Sequence, residues 1–157
     1  MEAESVFCEC CGSHEWARGM TAGRPFAMLE NLFESADRIW WSLTSADHLE
    51  AFAAHPKIGS KQAAKKQQAR SAVWSEGEQS QVDSAAANVL DKLTEANRLY
   101  EEKFGFIFIV CATGKSADEM LAIAQARLGN SKQTEMRIAA DEQRKITAIR
   151  LNKLLER

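Results

Sequence analysis

Three places in the chain carry side chains able to move protons or grip an anion. The first is AFAAHPKIGS, Ala51 to Ser60, where a run of helix formers stops at His55-Pro56 and Gly59 follows. An imidazole titrates near neutrality, which makes His55 a candidate proton carrier. The plainer alternative is that Pro56 ends a helix and leaves His55 at its edge. The second is WSEGEQ, Trp74 to Gln79, where Ser75 and Glu78 have the spacing of a capping box. Free N–H groups at a helix N-terminus also favour anions, so the same geometry could hold a carboxylate-bearing substrate beside Ser75, Glu78 and Gln79. The third is Arg150, which shares a helical face with Ile146 and Leu154. Its guanidinium either reaches past apolar groups to solvent or is presented to an anionic ligand in a partly apolar pocket.

A denser cluster, CECCGSH from Cys8 to His14, contains four thiol or imidazole groups of the kind that bind zinc. Structural zinc draws on separated ligand pairs, whereas Cys10 and Cys11 are adjacent and diverge on a helix. Small buried cysteines in an N-terminal helix, with a turn at Gly12-Ser13, are expected instead, and no metal. Neither His14 nor His48 has a polar partner that the sequence identifies.

The elements that must position these groups are helices. Only two prolines, Pro25 and Pro56, and eight glycines interrupt a sequence rich in Ala, Leu, Glu, Gln and Lys. Phe26, Leu29, Leu32, Phe33, Ala36, Ile39, Trp40 and Leu43 mark an amphipathic helix with Pro25 near its first turn. A short helix starting at Ser45 or Asp47 carries Leu49 and Phe52 toward His55. From Ser75 the row Val82, Ala86, Val89, Leu93, Ala96, Tyr100, Phe104 predicts one helix approaching thirty residues. The following FGFIFIVC has the β-branched and aromatic content of buried extended chain but no strand partner elsewhere, so about Phe106 to Cys111 is expected to be a buried connector. Ser116 and Glu119 open a further helix that stops at Gly129-Asn130, and a last one runs from about Lys132 to Leu155. The expected fold is all-α, a single domain over 1–157 built as a bundle of six to eight helices.

Composition narrows the function classes. At 157 residues the chain can bury one real core, and its 20 basic and 22 acidic residues are interspersed, giving a net charge of −2. The basic stretch KQAAKKQQAR lacks interleaved aromatics, so nucleic acid is not an expected partner, and no apolar run is long enough for a membrane span. The N-terminal segment lacks the basic and apolar regions of a secretion signal and the chain ends Leu155-Glu156-Arg157 rather than in SKL; cytoplasmic localisation with reduced thiols is expected.

Read together, HPKIG, SEGEQ, KFGFIFIVC and IRL, with CCGSHEWARGM and RPF, resemble in order and near spacing the 2-oxo-4-hydroxy-4-carboxy-5-ureidoimidazoline (OHCU) decarboxylases of urate degradation. The likeness covers nearly the whole chain. It implies an all-α, cofactor-free, homodimeric enzyme converting OHCU to (S)-allantoin and carbon dioxide, with its catalytic histidine at His55. It further implies that Pro56 packs beside the substrate ring, that Ser75, Glu78, Gln79 and Arg150 supply polar contacts, and that backbone N–H groups at Phe108 and Val110 hold a substrate carbonyl. Ile107 stands where many relatives have a second proline. Two alternatives remain at this point: a helical protein-interaction module without catalysis, and a same-fold enzyme acting on a related ureido acid.

Overall fold

The computed structural model describes residues 2–55 and 76–157, with the side chains of 76–86 outside the described set. Among the described residues there are seven helices and no strand: α1 Glu2–Cys11, α2 His14–Ala22, α3 Leu29–Ser42, α4 Ser45–Ala53, α5 Glu76–Phe104, α6 Ala117–Arg127 and α7 Lys132–Leu155. This is the expected all-α class. The contacts group into two compact units, one of 1–55 with 136–157 and one of 56–135, so α7 starts in the second and continues in the first.

In the first unit, two short helices are hinged by Gly12, whose φ of +86° is accessible to glycine without strain. A Cβ there would lie 2.6 Å from the Cβ of Ala54, so the α1–α2 turn is pressed against the end of α4. Ser13 then caps α2 by accepting the N–H of Trp16. Apolar burial centres on Trp16, Met20, Trp40, Phe52 and Leu151, all fully or almost fully enclosed. The two indoles also satisfy their polar ends: Trp16 Nε1 donates to the Ala36 carbonyl and Trp40 Nε1 to that of Ala140, each at 3.0 Å. These bonds tie α2 to α3 and α3 to α7.

One helix boundary differs from expectation. The α3 helix begins at Leu29, and Phe26 and Pro25 belong to the preceding loop. The reason is local: Met28 is extended, its carbonyl accepts the first helical N–H, and its own N–H is taken by Asn31 Oδ1 at 3.1 Å. That reciprocal cap fixes the start after the proline. At α4, Thr44 caps in the same manner, its hydroxyl accepting from Asp47 N–H and its N–H donating to the Asp47 carboxylate.

Among the described residues, the second unit holds α5, the connector, α6 and the first turn of α7. The α5 helix runs 29 residues and ends on Gly105, whose φ of +80° and N–H donated to the Glu101 carbonyl form a left-handed cap. Residues 106–111 are buried and carry no regular structure, as the sequence predicted. Tyr100 packs its ring against Phe104, Phe106 and Phe108 with centroids 4.5, 5.8 and 5.4 Å away. One polar group of this buried strip is met by Arg127, which donates to the Ile109 carbonyl at 2.6 Å and pairs with Glu135 at 2.8 Å. Tyr100 and Asn130 donate to the same carboxylate, at 2.6 and 3.0 Å. Every oxygen of this buried anion is thereby matched, which is the condition for burying a charge.

Candidate functional site

The residues that could do chemistry converge on His55. The α4 helix closes with Ala54 and His55 donating their N–H groups to Ala51 and Phe52 carbonyls, both at 3.2 Å, so the chain tightens and delivers the imidazole just past the last turn. The α7 helix receives it. Gln143, Thr147 and Arg150 stand at i, i+4 and i+7 and therefore share a face. The Oε1 of Gln143 meets His55 Nε2, and an Arg150 N–H faces His55 Nδ1 at 3.5 Å. The imidazole is thus held on both ring nitrogens.

Each partner is itself held. Gln143 is fully buried and its amide donates to Thr147 Oγ1 at 3.0 Å, while the Thr147 hydroxyl donates to the Gln143 main-chain carbonyl at 3.0 Å. Arg150 reaches across to donate to the Cys10 carbonyl at 3.3 Å. The C-terminal end of the cysteine-rich helix α1 is therefore part of the support of this site. Cys10 and Cys11 are buried, as expected, and Cys8 is partly so. Burial pushes the Cys11 thiol up to about 11, against the opposing bonds from Ser13 and Thr147, so it stays protonated and apolar in character.

The electrostatics favour a neutral imidazole. Desolvation lowers the His55 pKa from its ordinary value, the Gln143 bond opposes that, and the Arg150 charge lowers it further. A neutral ring beside a guanidinium is a base poised next to an anion clamp. It can take a proton from a substrate whose negative group is drawn to Arg150.

Of the residues proposed from sequence, His55 and Arg150 meet here. Phe108 and Val110 lie in the buried connector of the other unit, where the Phe108 N–H donates to Asn97 Oδ1 at 3.3 Å. Pro56 and Ser75 lie outside the described residues, and Glu78 and Gln79 sit in the first turns of α5 with their side chains outside the described set. Sequence reasoning missed Gln143 and Thr147. The signal was present, since both precede Arg150 at helical spacing, but the row followed there was Ile146, Arg150, Leu154. The other two histidines have partners: His14 Nδ1 meets Glu50 at 2.6 Å and His48 Nε2 meets the Trp40 carbonyl at 2.9 Å, both bracing helices.

The model of the OHCU decarboxylase family matches residues 1–152. The chain belongs to the OHCU decarboxylase family. Among its relatives is the uric acid degradation bifunctional protein TTL of Arabidopsis thaliana, 41% identical over 148 residues. That match takes in 92% of this chain but 45% of the plant protein, so the chain spans under half the length of that relative. The 2-oxo-4-hydroxy-4-carboxy-5-ureidoimidazoline decarboxylase of Amia calva is 31% identical over 144 residues, covering 89% of this chain and 79% of its own. A crystal structure of an OHCU decarboxylase in the presence of (S)-allantoin superposes with a TM-score of 0.79 at 37% identity, over 96% of this chain and 97% of that one. Among the described residues the OHCU decarboxylase fold of this chain contains no helix long and apolar enough to cross a membrane.

Proposed function

We propose that the chain decarboxylates OHCU to (S)-allantoin and carbon dioxide, and that His55 is the group that moves the protons. The observation that carries this is the imidazole of His55 gripped between Gln143 and Arg150, in a chain whose residues 1–152 match the family model.

The substrate explains why so few groups suffice. Its departing carboxylate is attached next to a ring C=N bond. When the carbon–carboxylate bond breaks, its electron pair forms a new ring C=C bond and the imine pair moves onto nitrogen, which takes up a proton from water, so the electron sink lies within the substrate and no cofactor is called for. The protein has to orient the carboxylate, draw the proton off the ring hydroxyl and return a proton to one face of the resulting enamine. Arg150 supplies the fixed positive charge for the first task. His55, kept neutral, supplies the base for the second and, once charged, the acid for the third. Protonation on one face yields one enantiomer.

On the sequence resemblance we assign Pro56 to packing beside the substrate ring and Ser75, Glu78 and Gln79 to its polar groups. The N–H groups of Phe108 and Val110 are assigned to a substrate carbonyl; at Phe108 the carbonyl would share or displace the bond to Asn97. The same resemblance supports a homodimer, and the four free cysteines suit a reducing, cytoplasmic setting. The direct test is to supply freshly generated urate oxidation products and follow circular dichroism. Accelerated formation of one-handed allantoin is expected. A rate no faster than the spontaneous one would instead support a non-catalytic interaction module, and weak turnover with tighter binding of another ureido acid would point to a different substrate.

A further inference from the structure

We propose that Gln143, backed by Thr147, is a positioning residue that locks His55 in the tautomer protonated on Nε2, leaving Nδ1 as the nitrogen that exchanges protons with substrate. This rests on the reading of His55 as the proton carrier and adds which atom performs the task and what selects it.

Two independent hydrogen-bond arguments lead to the same tautomer. The first comes from Arg150. A guanidinium has donors only, so the ring nitrogen it faces must offer a lone pair. That nitrogen is Nδ1, at 3.5 Å. A neutral imidazole with its lone pair on Nδ1 carries its hydrogen on Nε2. The second comes from the other side of the ring. The Thr147 hydroxyl spends its hydrogen on the Gln143 carbonyl one turn back, leaving only lone pairs toward the Gln143 side chain. Gln143 must then turn its NH2 to Thr147 and its Oε1 to His55, where it accepts from Nε2–H. Flipping the amide would set NH2 against Nε2 and force the ring hydrogen onto Nδ1, against Arg150. The whole chain of bonds has one self-consistent direction.

The consequence is an ordered proton path. The Nε2 hydrogen is committed to a buried amide and stays there. The proton leaving the substrate hydroxyl arrives on Nδ1, gives an imidazolium, and is returned from Nδ1 to the ring carbon. Arg150 brings the anionic end of the substrate to the same nitrogen. Among the described residues the groups facing His55 are Arg150 and Gln143 from α7; the Cys11 thiol of α1 reaches this chain at Thr147 and is neutral. Arg150 is the charged one.

The test begins on the unmodified protein, labelled with 15N-histidine. With three histidines in the chain, comparison with His55→Asn assigns the ring signals. Two-bond 1H–15N spectra at about pH 8, where the ring is neutral, should show His55 protonated on Nε2. In Gln143→Leu the signals should move toward a mixture of tautomers, with kcat reduced about tenfold to a hundredfold, the usual scale for losing a histidine-orienting partner. Gln143→Glu replaces the amide by a carboxylate and should shift the acid limb of the kcat/KM profile upward by about one pH unit. A merely structural glutamine would move neither the tautomer nor the pH limb. An Nδ1–H tautomer in the unmodified protein, or Gln143 variants with unchanged spectra and pH profile, would overturn the proposal. Full activity in His55→Asn would overturn the proton-carrier reading itself, whatever tautomer is found, so the two failures are distinct.

Discussion

Arg127→Met isolates the buried charge network that shapes the second unit. Glu135 is fully buried, and Arg127 is the cation opposite it, with a side chain 7% exposed. Losing the guanidinium leaves the carboxylate with the Tyr100 hydroxyl and the Asn130 amide only, and strips the Ile109 carbonyl of its Arg127 donor. Removing one member of a buried pair costs about 3–5 kcal/mol, and a buried acceptor left unmatched about 1–3 kcal/mol. Both losses come from one side chain and do not add fully, so about 4 kcal/mol is expected, much of the ~5–15 kcal/mol available to a typical domain. Urea unfolding should show it as a lower midpoint at unchanged slope. The pH dependence gives a sharper signature. In the native protein burial raises the Glu135 pKa, but bonds from Arg127, Tyr100 and Asn130 outweigh it and hold the carboxyl below its ordinary value. Its contribution is therefore present above the unfolded value, about 4.3, and lost as pH falls through the folded one. In Arg127→Met burial dominates and the folded value rises above the unfolded one, so acidification from about pH 7 toward 5 should recover stability rather than lose it. A loss below about 1 kcal/mol, or the same pH slope as the parent, would refute the reasoning.

Four further outcomes are expected. Gly12→Ala should destabilise by about 2–4 kcal/mol by thermal unfolding, since it adds the left-handed backbone cost to a Cβ 2.6 Å from Ala54. Gly114→Ala, with φ of +76° and open space around it, should cost only about 1–2 kcal/mol. Because desolvation and Arg150 lower the His55 pKa, the acid limb of kcat/KM should fall below the ordinary histidine value, with a plateau above it. For stability the sign is that the unfolded ring binds a proton first, so this contribution declines as pH drops from about 6.5 to the folded value and is flat below. Arg150→Lys keeps the charge but loses the fork that spans Cys10 and His55, and should reduce kcat more than tenfold while shifting stability by under about 1 kcal/mol.

Local chemistry made the helices legible. Ser116 with Glu119 marked the start of α6, Gly129-Asn130 its stop, and the apolar row to Phe104 marked the length of α5. The buried connector was legible too, because FGFIFIVC has no strand to pair with. Pro25 misled for a local reason: a proline can open a helix, but the cap that Asn31 places on Met28 decided the start. What could not be read were pairings across the fold. Gln143 meets His55 over a separation of 88 residues, and nothing local to either helix reports that register. The Arg127–Glu135 pair joins the end of one helix to the start of the next, and its value depends on the Tyr100 and Ile109 groups enclosed with it. Arg150 lay between these cases. Its helical face raised two possibilities, and to these the structure adds a contact with Nδ1 of His55 that the face alone did not report.

The most direct test of the central claim is the rate of one-handed allantoin formation from freshly generated OHCU by His55→Asn, followed by circular dichroism with the fold checked by far-ultraviolet spectra. Asparagine keeps a polar group at the end of α4 but cannot carry a proton at neutral pH. The account predicts a folded protein whose product appears at the spontaneous rate and without handedness. A folded variant that retains the full stereospecific rate would contradict it.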